Sequence, residues 1–127
     1  MFTEIIIPMQ KLTNKEAEIM KILWRLEHAF VKDIMAEIEG EKPHYNTLST
    51  IVRNLEEKKY VHYEAFGKTH RYFPVISKER YRKKFINSSM VDYFDNSYKG
   101  LVSFFAKEEK ISVEELKEII ELIEKKN

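Results

Sequence analysis

Between His44 and Tyr60 the chain reads His-Tyr-Asn-Thr-Leu-Ser-Thr-Ile-Val-Arg-Asn-Leu-Glu-Glu-Lys-Lys-Tyr, and Leu48, Ile51, Val52 and Leu55 recur at i, i+3, i+4 and i+7. On a helix that spacing gathers one apolar stripe to bury. The other surface holds Asn46, Ser49, Thr50, Arg53 and Asn54, short hydrogen-bonding groups plus one arginine, where an ordinary solvated face favours Glu and Lys. Ser, Thr and Asn are mediocre helix formers. Their place in the first turns fits a surface that approaches a partner closely and exchanges hydrogen bonds, as a helix does with base edges and phosphates. A polar face that is merely Ser/Thr-rich is the plainer alternative, and the flanking segments decide between the two.

Those segments supply a scaffold. Thr13-Asn-Lys-Glu16 is a capping-box signature and opens a helix to about Glu27, with Ala17, Met20 and Trp24 on one stripe and Ile19, Leu23 and Leu26 on its neighbour. Phe30 to Glu39 carries Val31, Ile34, Met35 and Ile38 at helical spacing and stops at Gly40. Pro43 breaks the chain before a helix over residues 45–58. Residues 60–66 and 69–75 alternate around Gly67-Lys68, which predicts a β-hairpin ended by Pro74. The expected fold is mainly α with a small β-hairpin wing: a winged helix-turn-helix over residues 1–76, followed by a helical dimerisation region over 77–127.

In that second region Ser77 to about Ser97 reads as helix with Tyr81, Phe85, Ile86, Met90, Tyr93 and Phe94 as its apolar set. Leu101, Val102, Phe104 and Phe105 follow on a shorter segment. Ser112-Val-Glu-Glu115 then opens a last helix bearing Val113, Leu116, Ile119, Ile120 and Ile123. About fifty residues in three helices have too much surface for their volume to bury so many large groups alone. A second copy would cover them, through Phe85, Met90, Tyr93, Phe94, Leu101, Phe104, Phe105, Leu116, Ile119, Ile120 and Ile123. A C2 dimer also presents two recognition helices to the two half-sites of a palindrome.

Composition removes other classes. The 127 residues are 43% hydrophobic and 34% charged with three Gly and three Pro, as in an ordered, helix-rich chain. No cysteine is present, so disulfides, thiolate chemistry and Cys-based metal sites are out, and four scattered His make poor metal spacing. No cofactor or metal is expected, and no small-molecule ligand is evident. Ile5-Ile-Ile7 is too short for a signal-peptide core and no apolar run approaches a membrane span, so a cytoplasmic location is expected. There is no Gly-rich phosphate loop and no recognisable nucleophile with its base, so the chain does not read as an enzyme. The formal net charge is only +1, but its distribution is uneven. Residues 1–41 hold five Lys/Arg against eight Asp/Glu, whereas 42–72 hold six against three, with three of the four His. Lys42, Arg53, Lys58, Lys59, Lys68 and Arg71 form a basic island suited to a nucleic acid.

The runs Leu12-Thr-Asn-Lys-Glu-Ala-Glu-Ile-Met-Lys-Ile-Leu-Trp24, Val31-Lys-Asp-Ile34 and Asn46-Thr-Leu-Ser-Thr-Ile-Val-Arg-Asn-Leu55, the last ahead of Lys59-Tyr-Val61, resemble the BlaI/MecI family of penicillinase repressors. So does Gly100-Leu-Val-Ser-Phe-Phe-Ala-Lys-Glu-Glu-Lys-Ile-Ser112. The resemblance implies a dimeric repressor that binds operator DNA through winged domains. It also implies induction by a membrane-bound sensor of β-lactams and cleavage at the Phe104–Phe105 bond. Here Phe104 stands where the better-known members have Asn before the cut, and the absence of Cys excludes the copper-sensing branch.

Residue chemistry gives the expected roles at the DNA. Thr47, Ser49 and Thr50 can hydrogen-bond base edges or phosphate, and threonine methyls can touch thymine. Asn46 suits adenine or a phosphate, and Arg53 a phosphate with guanine as the minority option. His44 and Tyr45 are expected on the backbone, and Lys68, His70 and Arg71 of the wing on the adjacent backbone or in the minor groove. The alternative reading is a winged-helix module that binds protein, which the near-neutral total charge accommodates. Trp24 is expected in the core and Lys107-Glu-Glu-Lys110 in a solvated loop.

Overall fold

Thr13 caps the first helix in both directions: its hydroxyl accepts from the Glu16 N–H at 3.1 Å, and its own N–H donates to Glu16 Oε1 at 2.9 Å. The computed structural model describes residues 9–126, so Ile5-Ile-Ile7 lies outside the described residues. Helix α1 (Asn14–Leu26) is followed by α2 (Val31–Glu37) and α3 (Tyr45–Glu57). Strands β1 (Val61–Phe66) and β2 (Thr69–Pro74) form the antiparallel wing, with Tyr63 opposite Tyr72 and Glu64 opposite Arg71. Then come α4 (Lys78–Phe94), α5 (Tyr98–Lys107) and α6 (Val113–Lys126). This is the expected winged helix-turn-helix with further helices after it.

One core holds the first unit, which ends at Tyr81. Ile19, Met20 and Leu23 of α1, Ile34 of α2, Leu48, Val52 and Leu55 of α3, and Tyr60 and Tyr72 beside or within the wing are buried together. The α3 stripe is fully buried at Leu48, Val52 and Leu55, as its spacing predicts. Trp24 is half-buried against this core, its indole N–H donating to the Ile76 carbonyl at 2.9 Å. A backbone bridge from Ala29 to Tyr72 fixes the wing's second edge.

Two helix ends differ from the sequence reading. Helix α2 stops at Glu37 because Ile38 turns extended, and Lys42 Nζ takes the freed Met35 and Ile38 carbonyls, each at 2.7 Å. Helix α4 stops at Phe94, where Asp95 and Asn96 adopt positive φ, a conformation short polar side chains tolerate.

Helix α3 ends in a Schellman motif, with the Tyr60 N–H on the Leu55 carbonyl and the Lys59 N–H on that of Glu56. Lys59 sits at φ 69°, where a Cβ is strained. Lys59→Gly is expected to raise stability by about 0.5 kcal/mol in chemical denaturation; a loss would show that the lysine side chain contributes more than the strain it causes. The next residue anchors the motif: Tyr60 is buried and its hydroxyl donates to the Gln10 carbonyl at 2.6 Å. Burial, reinforced by Tyr81 and Glu16, pushes that hydroxyl up to about 12.

The second unit begins at Arg82. Its only buried hydrophobic side chain among the described residues is Met90. Phe85, Tyr93, Phe104, Phe105, Ile119, Ile120 and Ile123 are exposed, Tyr93 by 78%. Met90, expected among the interface residues, is covered within its own chain. Phe94, Leu101 and Leu116 are half-buried, and Phe94 meets Phe104 edge-on with ring centres 5.9 Å apart.

Candidate nucleic-acid interface

With Leu48, Val52 and Leu55 turned inward, the rest of α3 divides into two rows. Tyr45, Ser49 and Arg53, spaced four apart, line a cleft on the wing side, whereas Asn46, Thr47, Thr50 and Asn54 lie farther round the helix and are exposed. The outer row is not uniformly free to bond. Thr50 Oγ1 donates to the Asn46 carbonyl at 3.0 Å and accepts from Arg53 Nη2 at 3.3 Å, so its hydroxyl is engaged within the helix and its methyl is the group left to offer. The side chains of Asn46 and Thr47 make no hydrogen bond among the described residues. His44 is the exposed N-cap residue of α3, and its side chain makes no capping bond.

The cleft has a volume of about 460 Å³. Opposite the α3 row stand Lys68, His70 and Tyr72 of the hairpin, and Phe30 and Lys32 close it at the start of α2. No carboxylate lines it. Tyr63 stacks on His70, ring centres 3.8 Å apart, and holds that imidazole flat against the wing. Tyr72 is only 5% exposed. Burial and then Glu56 raise its hydroxyl above the ordinary phenol value, with Arg53 opposing, so the group is a neutral O–H donor.

Of the residues the sequence assigned to DNA, the structure thus gathers Tyr45, Ser49, Arg53, Lys68 and His70 around one cleft. Arg71 departs from them. It lies across the hairpin from Glu64, bonds it at 2.8 Å and covers the Phe66 ring at 5.0 Å, while its Nε is buried without a partner. The Arg71 hydrogen bond, and then its charge, hold the exposed Glu64 carboxyl below its ordinary value. The basic island is also smaller than the sequence suggests. Lys42 caps α2, and Lys58 is bound to Glu16 at 2.6 Å and to the Lys11 carbonyl at 3.0 Å.

Sequence reading missed Phe30, Lys32 and Tyr72. The period of two along β2, which puts Tyr72 beside His70 on one face, was the available signal for Tyr72. Lys32 carries no local signal, since its place depends on how α2 docks against α3 and the wing. Among the described residues no group of three or more His, Cys, Asp or Glu could hold a metal ion, and no helix is long and apolar enough to cross a membrane.

Core, turn and wing define a winged helix-turn-helix protein with a C-terminal helical unit. Residues 12–125 match the penicillinase repressor family, and the chain belongs to it. It is 22% identical over 117 residues to the methicillin resistance regulatory protein MecI of Staphylococcus aureus (strain N315), covering 91% of this chain and 95% of that protein. It is 20% identical over 115 residues to the penicillinase repressor of Bacillus licheniformis, covering 90% of each. The family match includes the C-terminal helices as well as the wing.

Proposed function

We propose that this chain is a dimeric transcriptional repressor that binds palindromic operator DNA through α3 and the wing and has no enzymatic activity. The observation that carries the reading is the two-row surface of α3, an exposed polar row in which Asn46 and Thr47 are free to face base edges beside a row lining a cleft with cations and no carboxylate. The relatives' names, a methicillin resistance regulator and a penicillinase repressor, support it. Dimerisation is inferred from the exposed apolar side chains of α4 to α6, which a second copy would cover.

Relief of repression by cleavage at Phe104–Phe105, after a membrane-bound sensor detects an antibiotic, belongs to the same reading. That bond lies inside α5, so a protease that requires extended backbone must wait for the helix to open locally.

The test is selection of bound fragments from random DNA by the purified protein, then binding to the best fragment across a salt series. An enriched palindrome whose affinity falls steeply with salt supports the repressor. No enrichment from a protein that is still dimeric favours a winged-helix module that binds protein. Thr47→Ala is expected to lower the ratio of operator to random-DNA affinity about tenfold, the size of one base-edge contact. Equal loss on both DNAs would place Thr47 on the backbone.

A further inference from the structure

The cleft beside α3 is built for more than general attraction. Lys32, Arg53 and Lys68 reach it from three separate elements, α2, α3 and the hairpin turn, with no acidic side chain among the lining. Lys32 and Lys68 have no hydrogen-bond or ion-pair partner among the described residues. Tyr72 also lines the cleft, more than nine-tenths buried, and its hydroxyl makes no hydrogen bond among the described residues. The hydroxyl is not sealed from solvent, so it can donate to an acceptor that enters the cleft from outside. Three cations and one O–H donor, in a cleft that no carboxylate lines, are complementary to a compact oxyanion with several acceptor oxygens.

We propose that this cleft seats one phosphate of the DNA backbone, with Lys32 as a contact the recognition helix does not itself provide and Tyr72 as the neutral donor beneath it. The proposal rests on the DNA-binding reading above. The seat fixes how α3 and the wing straddle the strand, so it acts on affinity and register and does not discriminate between bases.

Full-length Lys32→Ala and Tyr72→Phe would be compared with wild type on the selected operator and on random DNA across a salt series, with ethylation interference to find the phosphate. Lys32→Ala is expected to weaken both DNAs by the same factor and to lower the salt slope by about one. It should also remove the penalty of ethylating one phosphate in each half-site. Tyr72→Phe is expected to weaken both DNAs about tenfold, as loss of a bond to a charged acceptor does. Its melting temperature should not change, because the hydroxyl bonds nothing among the described residues. If wild type selects a palindrome and both variants bind like it, the phosphate seat is wrong while the repressor reading stands. A loss confined to operator DNA also overturns it, by moving these residues to the bases. Wild-type protein that binds no DNA removes both readings.

Discussion

Deletion of residues 112–127 is expected to leave a chain that sediments as a monomer and binds operator DNA about 100-fold or more weakly. Helix α6 exposes Val113, Ile119, Ile120, Leu122 and Ile123, an apolar surface far wider than a solvated helix carries. If a second copy covers it, each winged unit positions the other over its half-site, and losing that linkage removes an effective-concentration gain of roughly 100- to 10,000-fold. The first unit has its own core, closed without α6, and should keep its cooperative unfolding. The double variant Ile120→Glu/Ile123→Glu guards against a trivial failure of the truncated chain, since it keeps the helix and spoils only the surface. A truncated or doubly substituted protein that remains dimeric would refute the assignment of this surface.

The second large effect is on stability. Glu16 is 4% exposed and bonds Lys58 at 2.6 Å, joining the first turn of α1 to the residue that caps the end of α3. Lys58→Met is expected to cost about 2–3 kcal/mol at neutral pH, less than for a fully buried pair because the lysine is partly solvated. Burial pushes the Glu16 carboxyl up, but Lys58 and the two Thr13 bonds outweigh it and hold the group below its ordinary 4.5. A carboxyl depressed on folding stabilises fully above its unfolded value, and that contribution is lost as pH falls through the folded one. The gap between wild type and Lys58→Met, measured by urea unfolding, should therefore be full above about pH 4.5 and narrow below it. A gap near 0.5 kcal/mol at neutral pH would mean the pair behaves as a surface bridge.

Helix α1, the stripe of α3 and the turn at Gly67-Lys68 are legible in the chain because each rests on local rules: a reciprocal cap, a repeat of 3.6, and a dipeptide turn between alternating segments. Helix ends were harder to read. Nothing near Glu37 announces a stop, which comes from Lys42 folding back onto the α2 carbonyls. Charge misled in the same way, since counting Lys58 into a basic island ignores a Glu forty-two positions earlier in sequence that neutralises it. The candidate site was half legible. Spacing along one helix identifies Tyr45, Ser49 and Arg53, but a cleft exists only once Lys32 and the wing are docked beside them. Met90 shows the limit of reading periodicity alone, for an apolar stripe does not say which of its members the chain covers itself.

The two rows of α3 also bear on how such a protein could change its target. If grip comes from Tyr45, Ser49 and Arg53 and choice from Asn46 and Thr47, the two are encoded at interleaved positions, with Thr50 linking the rows through its bond to Arg53. A lineage could then drift to a new binding sequence by altering residues that touch neither the core nor the cleft, retaining a working clamp at every step. Retargeting by design would follow the same path.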